Sequence, residues 1–95
     1  MRVEFSPEAE ADLDEIAAYI AADDVEAALK WVDRLIDRAL RIGSAPHAGR
    51  VVREIGDAAV REVILGNYRI VYRVEKQRVL VLTVLEGHRR SLRPR

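Results

Sequence analysis

Two arginines lie within a stretch that otherwise has the apolar pattern of packed β-strands. Arg69 and Arg73 belong to the sequence YRIVYR at positions 68–73, and Arg61 lies in VREVIL at positions 60–65. A guanidinium group stays charged at any working pH, so an arginine on a packed strand needs an anionic partner or access to water. These side chains are therefore candidates for binding an anionic or nucleic-acid-related target.

Gly66 and Asn67 separate two predicted strands, residues 60–65 and 68–75. Glycine at the first central position of a two-residue loop is typical of a type II′ hairpin turn. Such a turn fixes the strand register. The predicted pairs are Leu65 with Tyr68, Ile64 with Arg69, Glu62 with Val71, and Val60 with Arg73.

Directly paired residues share a face of the sheet, so this register predicts two distinct faces. One is apolar and is expected to pack against helices; it holds Val63, Leu65, Tyr68, Ile70, Tyr72 and Val74. The other, called here the helix-free face, holds Val60, Glu62, Ile64, Arg69, Val71 and Arg73. If Lys76 and Gln77 form a second two-residue turn, Leu80, Leu82 and Val84 join the helix-free face.

The helix-free face thus combines arginines, a carboxylate and aliphatic side chains. An uncovered apolar patch on a small domain usually marks a site for a partner. The alternative is that Arg69 pairs with Glu62 across the strands and the C-terminal tail covers the aliphatic residues. On the first interpretation, the residues that bind a partner or target are Glu62, Arg69, Val71, Arg73, Leu80 and Leu82, with His88, Arg89 and Arg90 at the rim.

Two helices and further strands must position this face. Ser6 as N-cap and Pro7 at the first helical position start a helix that runs to about Ala22. Asp23, with Glu26 three residues later, predicts the cap of a second helix over residues 24–42. So short a link makes the helices an antiparallel hairpin, which needs a sheet to cover its apolar faces.

The remaining strands are predicted at residues 2–5, 51–55 and 78–86, the last apolar on both faces as a central strand should be. The fold class is therefore α+β, in the order β-α-α-β-β-β-β. A short N-terminal strand precedes the two-helix hairpin, which packs on an antiparallel sheet. With 95 residues, the chain is expected to be a single domain over residues 1–95.

Composition limits the other classes of function. The chain has no cysteine, and His47 and His88 lie far apart, so we expect neither a metal site nor a cofactor. No apolar run approaches the roughly 18 residues of a membrane span and no signal-peptide pattern is present, which predicts a cytoplasmic protein without membrane association. Residues 1–30 hold nine acidic and two basic side chains, whereas residues 31–95 hold seven and fourteen. This asymmetry predicts two oppositely charged faces.

Motifs along nearly the whole chain resemble the RelE/ParE superfamily of toxins from toxin–antitoxin systems. They are FSPEA at positions 5–9, DL at 12–13, the loop from Pro46 to GR at 49–50, VRE at 60–62, YRIVYR at 68–73 and HRR at 88–90. The resemblance implies two known activities. RelE-type toxins cut mRNA in the ribosomal A site without a metal, and ParE-type toxins inhibit DNA gyrase.

The nuclease pattern is incomplete in this chain. Glu62 stands where a nuclease would place a cation, and residues 91–95 lack a tyrosine. If the chain were a nuclease, the resemblance would assign catalysis to Arg69, Arg73, His88 and Arg89, with His88 as the base.

We therefore favour a ParE-like toxin of a type II plasmid-stabilisation module, which would inhibit gyrase and growth. On this interpretation no residue is assigned a catalytic role. A RelE-type ribonuclease is the alternative, and a decayed toxin that only binds an antitoxin is a third. The partner implied is a cognate antitoxin, of the ribbon-helix-helix type, in a hetero-oligomer.

Overall fold

The computed structural model of the protein describes residues 1–87. Its elements follow the predicted order. They are β1 (Arg2–Phe5), α1 (Pro7–Ala21), α2 (Val25–Arg41) with a short 3-10 turn (Ile42–Ser44), β2 (Arg50–Val51), β3 (Val60–Leu65), β4 (Tyr68–Val74) and β5 (Arg78–Glu86). The two helices pack on one face of a five-stranded sheet, so the α+β fold class is confirmed.

Side-chain caps start both helices. The Ser6 hydroxyl accepts a hydrogen bond from the Ala9 backbone N–H at 3.0 Å, as predicted. In α2 the cap is Asp24, whose carboxylate accepts from the Ala27 N–H at 3.0 Å, so the assignment to Asp23 is wrong by one residue. Asp24 has the extended backbone that a cap requires, with φ −155° and ψ 104°.

The strand order is β1-β5-β4-β3-β2, and the sheet is mixed rather than wholly antiparallel. β1 pairs with β5 in parallel, whereas the other neighbours are antiparallel. The expectation of a fully antiparallel sheet is wrong at this edge because no hairpin turn links β1 to β5. Both helices and three strands lie between them in the chain, which leaves either direction open.

β2 is shorter than predicted because the chain turns immediately after it. The N–H groups of Ile55 and Gly56 both donate to the Val52 carbonyl, at 3.2 and 3.0 Å. These bonds close a turn where a strand over residues 51–55 was expected. Only Arg50 and Val51 pair with β3.

The β3–β4 register is the one predicted from the Gly66-Asn67 turn. Gly66 has φ +58° and no non-glycine residue described has a positive φ, as a type II′ turn requires. Between β4 and β5, however, a bulge shifts the register at Val71 and Tyr72. The extra residue moves Val84 to the helix side of the sheet, where it is buried, so its predicted place on the helix-free face is wrong.

The main core lies between the helices and the sheet. Leu13 of α1 and Leu35 of α2 pack there against Ile70, Tyr72 and other buried strand residues. A second, small core lies on the opposite face of the sheet and contains Val52, Val60 and Val71. In the part of the chain described, neither helix combines the length and apolar character that a membrane crossing requires.

Candidate functional site

An ion network occupies the centre of the helix-free face. Arg69 Nε donates to Glu62 Oε1 at 2.6 Å, and Arg69 Nη2 donates to Glu54 Oε2 at 3.2 Å. The other Glu62 oxygen accepts from Arg50 Nε at 2.9 Å. The Arg69 and Glu62 side chains are only 9% and 5% exposed. Two cations and two carboxylates thus form a closed network across β2, β3, β4 and the loop after β2.

The network determines the protonation of Arg69. Burial alone would lower the pKa of its guanidinium, but hydrogen bonds and charge from Glu62, followed by those from Glu54, outweigh burial and raise it. Arg69 therefore remains a cation, and its Nε and Nη2 already donate to carboxylates. Such a group has little freedom to bind an external phosphate.

Residues 50–57, called here the covering segment, form the cover over this face. Arg50, Val52 and Glu54 alternate along the segment, and each contacts the sheet. Val52 is fully buried and packs with Val60 and Val71. The expectation that the aliphatic residues of this face are uncovered is therefore wrong for Val60 and Val71. The predicted Arg69–Glu62 pair is present. The expected cover was the C-terminal tail, whereas within residues 1–87 it is the covering segment that lies over Val60 and Val71.

The predicted binding residues fall into three groups. Glu62, Arg69 and Val71 are buried and offer a partner almost no surface. Arg73 is exposed, and its β5 neighbour Leu80 is half-buried; Leu82 is half-buried and packs on the small core. The remaining three, His88, Arg89 and Arg90, lie outside the described residues.

Arg61 connects two loops near the start of β3. Its guanidinium donates to the carbonyl oxygens of Ala58, His47 and Gly49 at 3.1, 3.2 and 2.9 Å. It thereby ties the loop before β2 to the loop before β3. This role was not predicted, because the backbone acceptors lie in loops that carry no periodic signal.

Tyr72 fixes the same loop from the helix side. Its hydroxyl donates to the Pro46 carbonyl oxygen at 2.7 Å. A Cβ at Gly49 would collide with this hydroxyl and would lie 2.8 Å from the Glu62 carbonyl oxygen, so only glycine fits. Burial raises the pKa of Tyr72, against lowering by a hydrogen bond from Gly49 and by the charges of Arg61 and Arg38.

The buried polar side chains of the described residues already have hydrogen-bond partners. Among residues 1–87, no buried side-chain nitrogen or oxygen lacks a hydrogen-bond partner. Nor do these residues bring together three histidine, cysteine, aspartate or glutamate side chains as a metal site would. The accessible part of the helix-free face includes Ile64, which is 45% exposed, and the neighbours Arg73 and Leu80, which can offer a cation beside an apolar side chain to a partner.

Arg50, Val52 and Glu54 were missed as parts of this site. Their alternation is visible in the sequence, since residues i, i+2 and i+4 of an extended chain lie on one side. Gly49 and Gly56 frame so short a segment, however, that the pattern also fits a loop.

Comparisons with known proteins agree with this fold. The family model described as "ParE toxin of type II toxin-antitoxin system, parDE" matches residues 3–91. A solved structure of the chromosomal ParDE toxin–antitoxin system from P. aeruginosa aligns with a TM-score of 0.77 and 23% identity, covering 93% of this chain and 97% of that one.

A second solved structure is the toxin–antitoxin complex RelBE2 from Mycobacterium tuberculosis. It aligns with a TM-score of 0.65 and 20% identity, covering 90% of this chain and 88% of that one. No curated protein sequence matches this chain. At these identities the two structures establish the fold, and the family model covers nearly the whole sequence. The chain therefore belongs to the ParE toxin family of type II toxin–antitoxin systems.

Proposed function

We propose that this toxin inhibits DNA gyrase and that a cognate antitoxin neutralises it. The observation that carries the choice of gyrase over mRNA is the closed network around Arg69. In a ribonuclease of the RelE type, this arginine would have to stabilise phosphate charge. Here its Nε and Nη2 already donate to Glu62 and Glu54, and the side chain is 9% exposed.

The energetics support a structural role for Arg69. Breaking a buried ion pair by removing one partner typically costs about 3–5 kcal/mol. A phosphate that drew Arg69 away would leave Glu62 buried with one of its two arginines missing. Of the other nuclease candidates, Arg73 is exposed on the strand, and His88 and Arg89 lie outside the described residues. A positioned set of catalytic groups is thus not supported within residues 1–87.

The antitoxin would bind the accessible part of the helix-free face. Arg73 and Leu80 are direct neighbours across β4 and β5, so a cation and an apolar side chain lie side by side. An acidic, partly apolar antitoxin segment matches this pair. The similar structures from P. aeruginosa and M. tuberculosis are described as a toxin–antitoxin system and complex, which supports a hetero-oligomer here as well.

The target is tested by two assays on the same protein. In a DNA supercoiling assay with purified gyrase, we expect the toxin to block supercoiling and to stabilise a cleavage complex. In primer extension on ribosome-bound mRNA after induction, we expect no codon-positioned cuts. The reverse pair of results would assign the protein to the ribonuclease class, whereas unaffected growth would indicate a decayed toxin. As a gyrase inhibitor the protein would act in the cytoplasm.

A further inference from the structure

The surface of α2 carries a narrow row of cations, called here the basic stripe. It holds all four basic residues of the helix: Lys30, Arg34, Arg38 and Arg41. At about 100° per residue, the three arginines lie within about 80° of Lys30 on one side of the helix. The stripe is about 16 Å long, at a rise of about 1.5 Å per residue. Arg38 is half-buried, and the other three residues are exposed.

Most of the stripe has no anionic partner in the folded chain. Arg41 bonds to Asp37 at 3.1 Å. Within residues 1–87, Lys30, Arg34 and Arg38 take part in no ion pair. They therefore differ from Arg69, whose Nε and Nη2 already donate to carboxylates, and can bind an external anion.

Arg34 is held in place at the centre of the stripe. Its Cζ lies 4.6 Å from the centroid of the Trp31 ring, the geometry of a cation–π contact. The Trp31 ring contacts Tyr68, with ring centroids 5.4 Å apart, and a Cβ at Gly66 would lie only 2.9 Å from it. The guanidinium thus rests on a ring that is fixed by the β3–β4 hairpin. A side chain positioned before binding loses less conformational entropy when a ligand arrives.

We propose that the basic stripe binds the phosphate backbone of duplex DNA. Three of its four residues are arginines, and a guanidinium offers a planar fork that can donate two hydrogen bonds to one phosphate. Contacts to phosphates position a protein on DNA without reading the bases. Binding should therefore depend on charge and be independent of sequence.

Carboxylates beside the stripe select a narrow anion. Glu26, Asp33 and Asp37 lie about 20–60° from Lys30 in the opposite direction round α2. A broad anionic surface such as a membrane would meet this acidic row as well as the stripe, and like charges would oppose the contact. A phosphate strand that follows the stripe lies beside the cations instead.

The stripe also lacks the aromatic anchors of a protein interface. The large apolar side chain beside it, Trp31, is half-buried and lies beneath Arg34. Protein interfaces typically depend on such side chains inserted into pockets of the partner. Exposed cations without an accessible apolar anchor favour DNA over an acidic protein.

This surface is separate from the one proposed for the antitoxin. The basic stripe lies on a helix, whereas Arg73 and Leu80 lie on the face of the sheet that the helices do not cover. The proposal requires neither gyrase nor the antitoxin, so it is tested separately from the proposed function.

The test is a fluorescence anisotropy titration of the full chain against a short labelled DNA duplex of arbitrary sequence. We expect a dissociation constant of roughly 1–100 µM at physiological salt, the range of non-specific DNA binding. Because three cations would replace condensed counterions, the logarithm of the association constant should fall against the logarithm of the salt concentration with a slope of about −3.

Two variants remove one charge each from exposed positions of the stripe. Lys30→Gln and Arg34→Gln should each weaken binding about tenfold at about 50 mM salt and reduce the slope by about 1. Arg53→Gln is the matched control, because Arg53 is exposed in the covering segment and takes part in no ion pair within residues 1–87. It should leave the affinity and the slope unchanged. Circular dichroism should show that all three variants remain folded.

Trp31 reports where the duplex binds, since it is the single tryptophan of the chain. A phosphate that binds Arg34 should change the fluorescence emission of the ring beneath it. The same change should occur in Arg53→Gln.

Several results would overturn the proposal. They are no binding of the duplex in the expected range, binding without a change in Trp31 emission, an equal loss of affinity in Arg34→Gln and Arg53→Gln, and a salt slope that neither stripe variant reduces. Polyglutamate provides a further check. If it binds as tightly as the duplex and loses affinity equally in Arg34→Gln, the stripe is a site for acidic proteins instead.

Discussion

Arg69 Nε lies 2.6 Å from Glu62 Oε1, and both side chains are more than nine-tenths buried. This pair joins the start of β4 to the middle of β3 on the face without helices. It also anchors the covering segment, because Glu54 bonds to Arg69 and Arg50 bonds to Glu62. The most nuclease-like arginine of the chain is therefore part of its internal structure.

Glu62→Ala should strongly destabilise the protein. The substitution leaves Arg69 buried with only Glu54 as an anionic partner, so the free energy of unfolding should fall by about 3–5 kcal/mol. Replacing both partners, as in Glu62→Leu with Arg69→Met, should cost less than Glu62→Ala alone, because no unpaired charge remains in the pair. Urea unfolding measures the free energy of unfolding of both variants and of the wild type.

The exposed pair Arg41–Asp37, with side chains 72% and 64% exposed, is the control. Arg41→Ala should change the free energy of unfolding by no more than about 1 kcal/mol. If Glu62→Ala costs as little as Arg41→Ala, the buried network does not stabilise the fold as described.

Val52→Ala should loosen the covering segment. Val52 is fully buried against Val60 and Val71, and losing two methyl groups together with the cavity left behind should cost about 2–3 kcal/mol. Val51→Ala, at the neighbouring position with 37% exposure, should cost about 0.5 kcal/mol or less. Thermal unfolding of the two variants compares them, and equal shifts would show that the segment does not pack as a cover.

Binding of the cognate antitoxin should depend on the accessible pair Arg73 and Leu80. Leu80→Asp should weaken the complex by about 2 kcal/mol or more if this leucine lies at the centre of the interface, because an unpaired charge would then be buried. Arg73→Glu should also weaken the complex, because it places a carboxylate where the acidic antitoxin segment would meet a cation. Lys76→Glu, in the exposed β4–β5 turn, makes the same charge change outside the pair and should have little effect.

Titration of the antitoxin against these variants measures the affinities. Unchanged affinity in both Leu80→Asp and Arg73→Glu would exclude this part of the face as the antitoxin site. An equal loss in Lys76→Glu would indicate a general effect of net charge instead.

Tyr72 should make stability fall at alkaline pH. Burial raises the pKa of Tyr72 above its usual value of 10.0, so the unfolded chain loses this proton before the folded one. The contribution is fully present below pH 10 and is lost as pH rises towards the folded-state pKa. Burial, with the charge of Glu86 and then Tyr19, also raises the pKa of Tyr68, which adds a slope of the same sign.

Tyr72→Phe isolates the Tyr72 contribution. Phenylalanine cannot ionise, so the decline in the free energy of unfolding above pH 10 should be shallower than in the wild type. Below pH 10, loss of the hydrogen bond to Pro46 should lower stability by about 1 kcal/mol, an offset separate from the change in slope. Identical slopes in urea unfolding across this pH range would contradict the assignment.

Local signals predicted much of this fold. The Gly66-Asn67 turn was sufficient for the β3–β4 register, because turn geometry fixes which residues pair. The Ser6 cap and the apolar stripes placed both helices. Three features depended on contacts that are distant in sequence or on backbone details: the parallel β1–β5 pairing, the bulge that turns Val84 inward and the cover over Val71.

The candidate site was predicted less well than the fold. Apart from Val84, the residues of the helix-free face were assigned to the correct side of the sheet, but their burial was not predicted, since burial depended on how the covering segment packs. Glu62 and Arg69 belong to this face, yet they face each other instead of a partner. Ile64, Arg73 and Leu80 retain accessible surface of the kind that was expected of the whole face.

The most direct test of the account is a titration of the purified toxin in a gyrase supercoiling assay, with and without its antitoxin. We predict that increasing toxin blocks supercoiling, accumulates cleaved DNA held by gyrase, and loses both effects when equimolar antitoxin is added. Full supercoiling with no cleavage complex at excess toxin, in a preparation that still arrests growth when induced, would contradict the gyrase assignment.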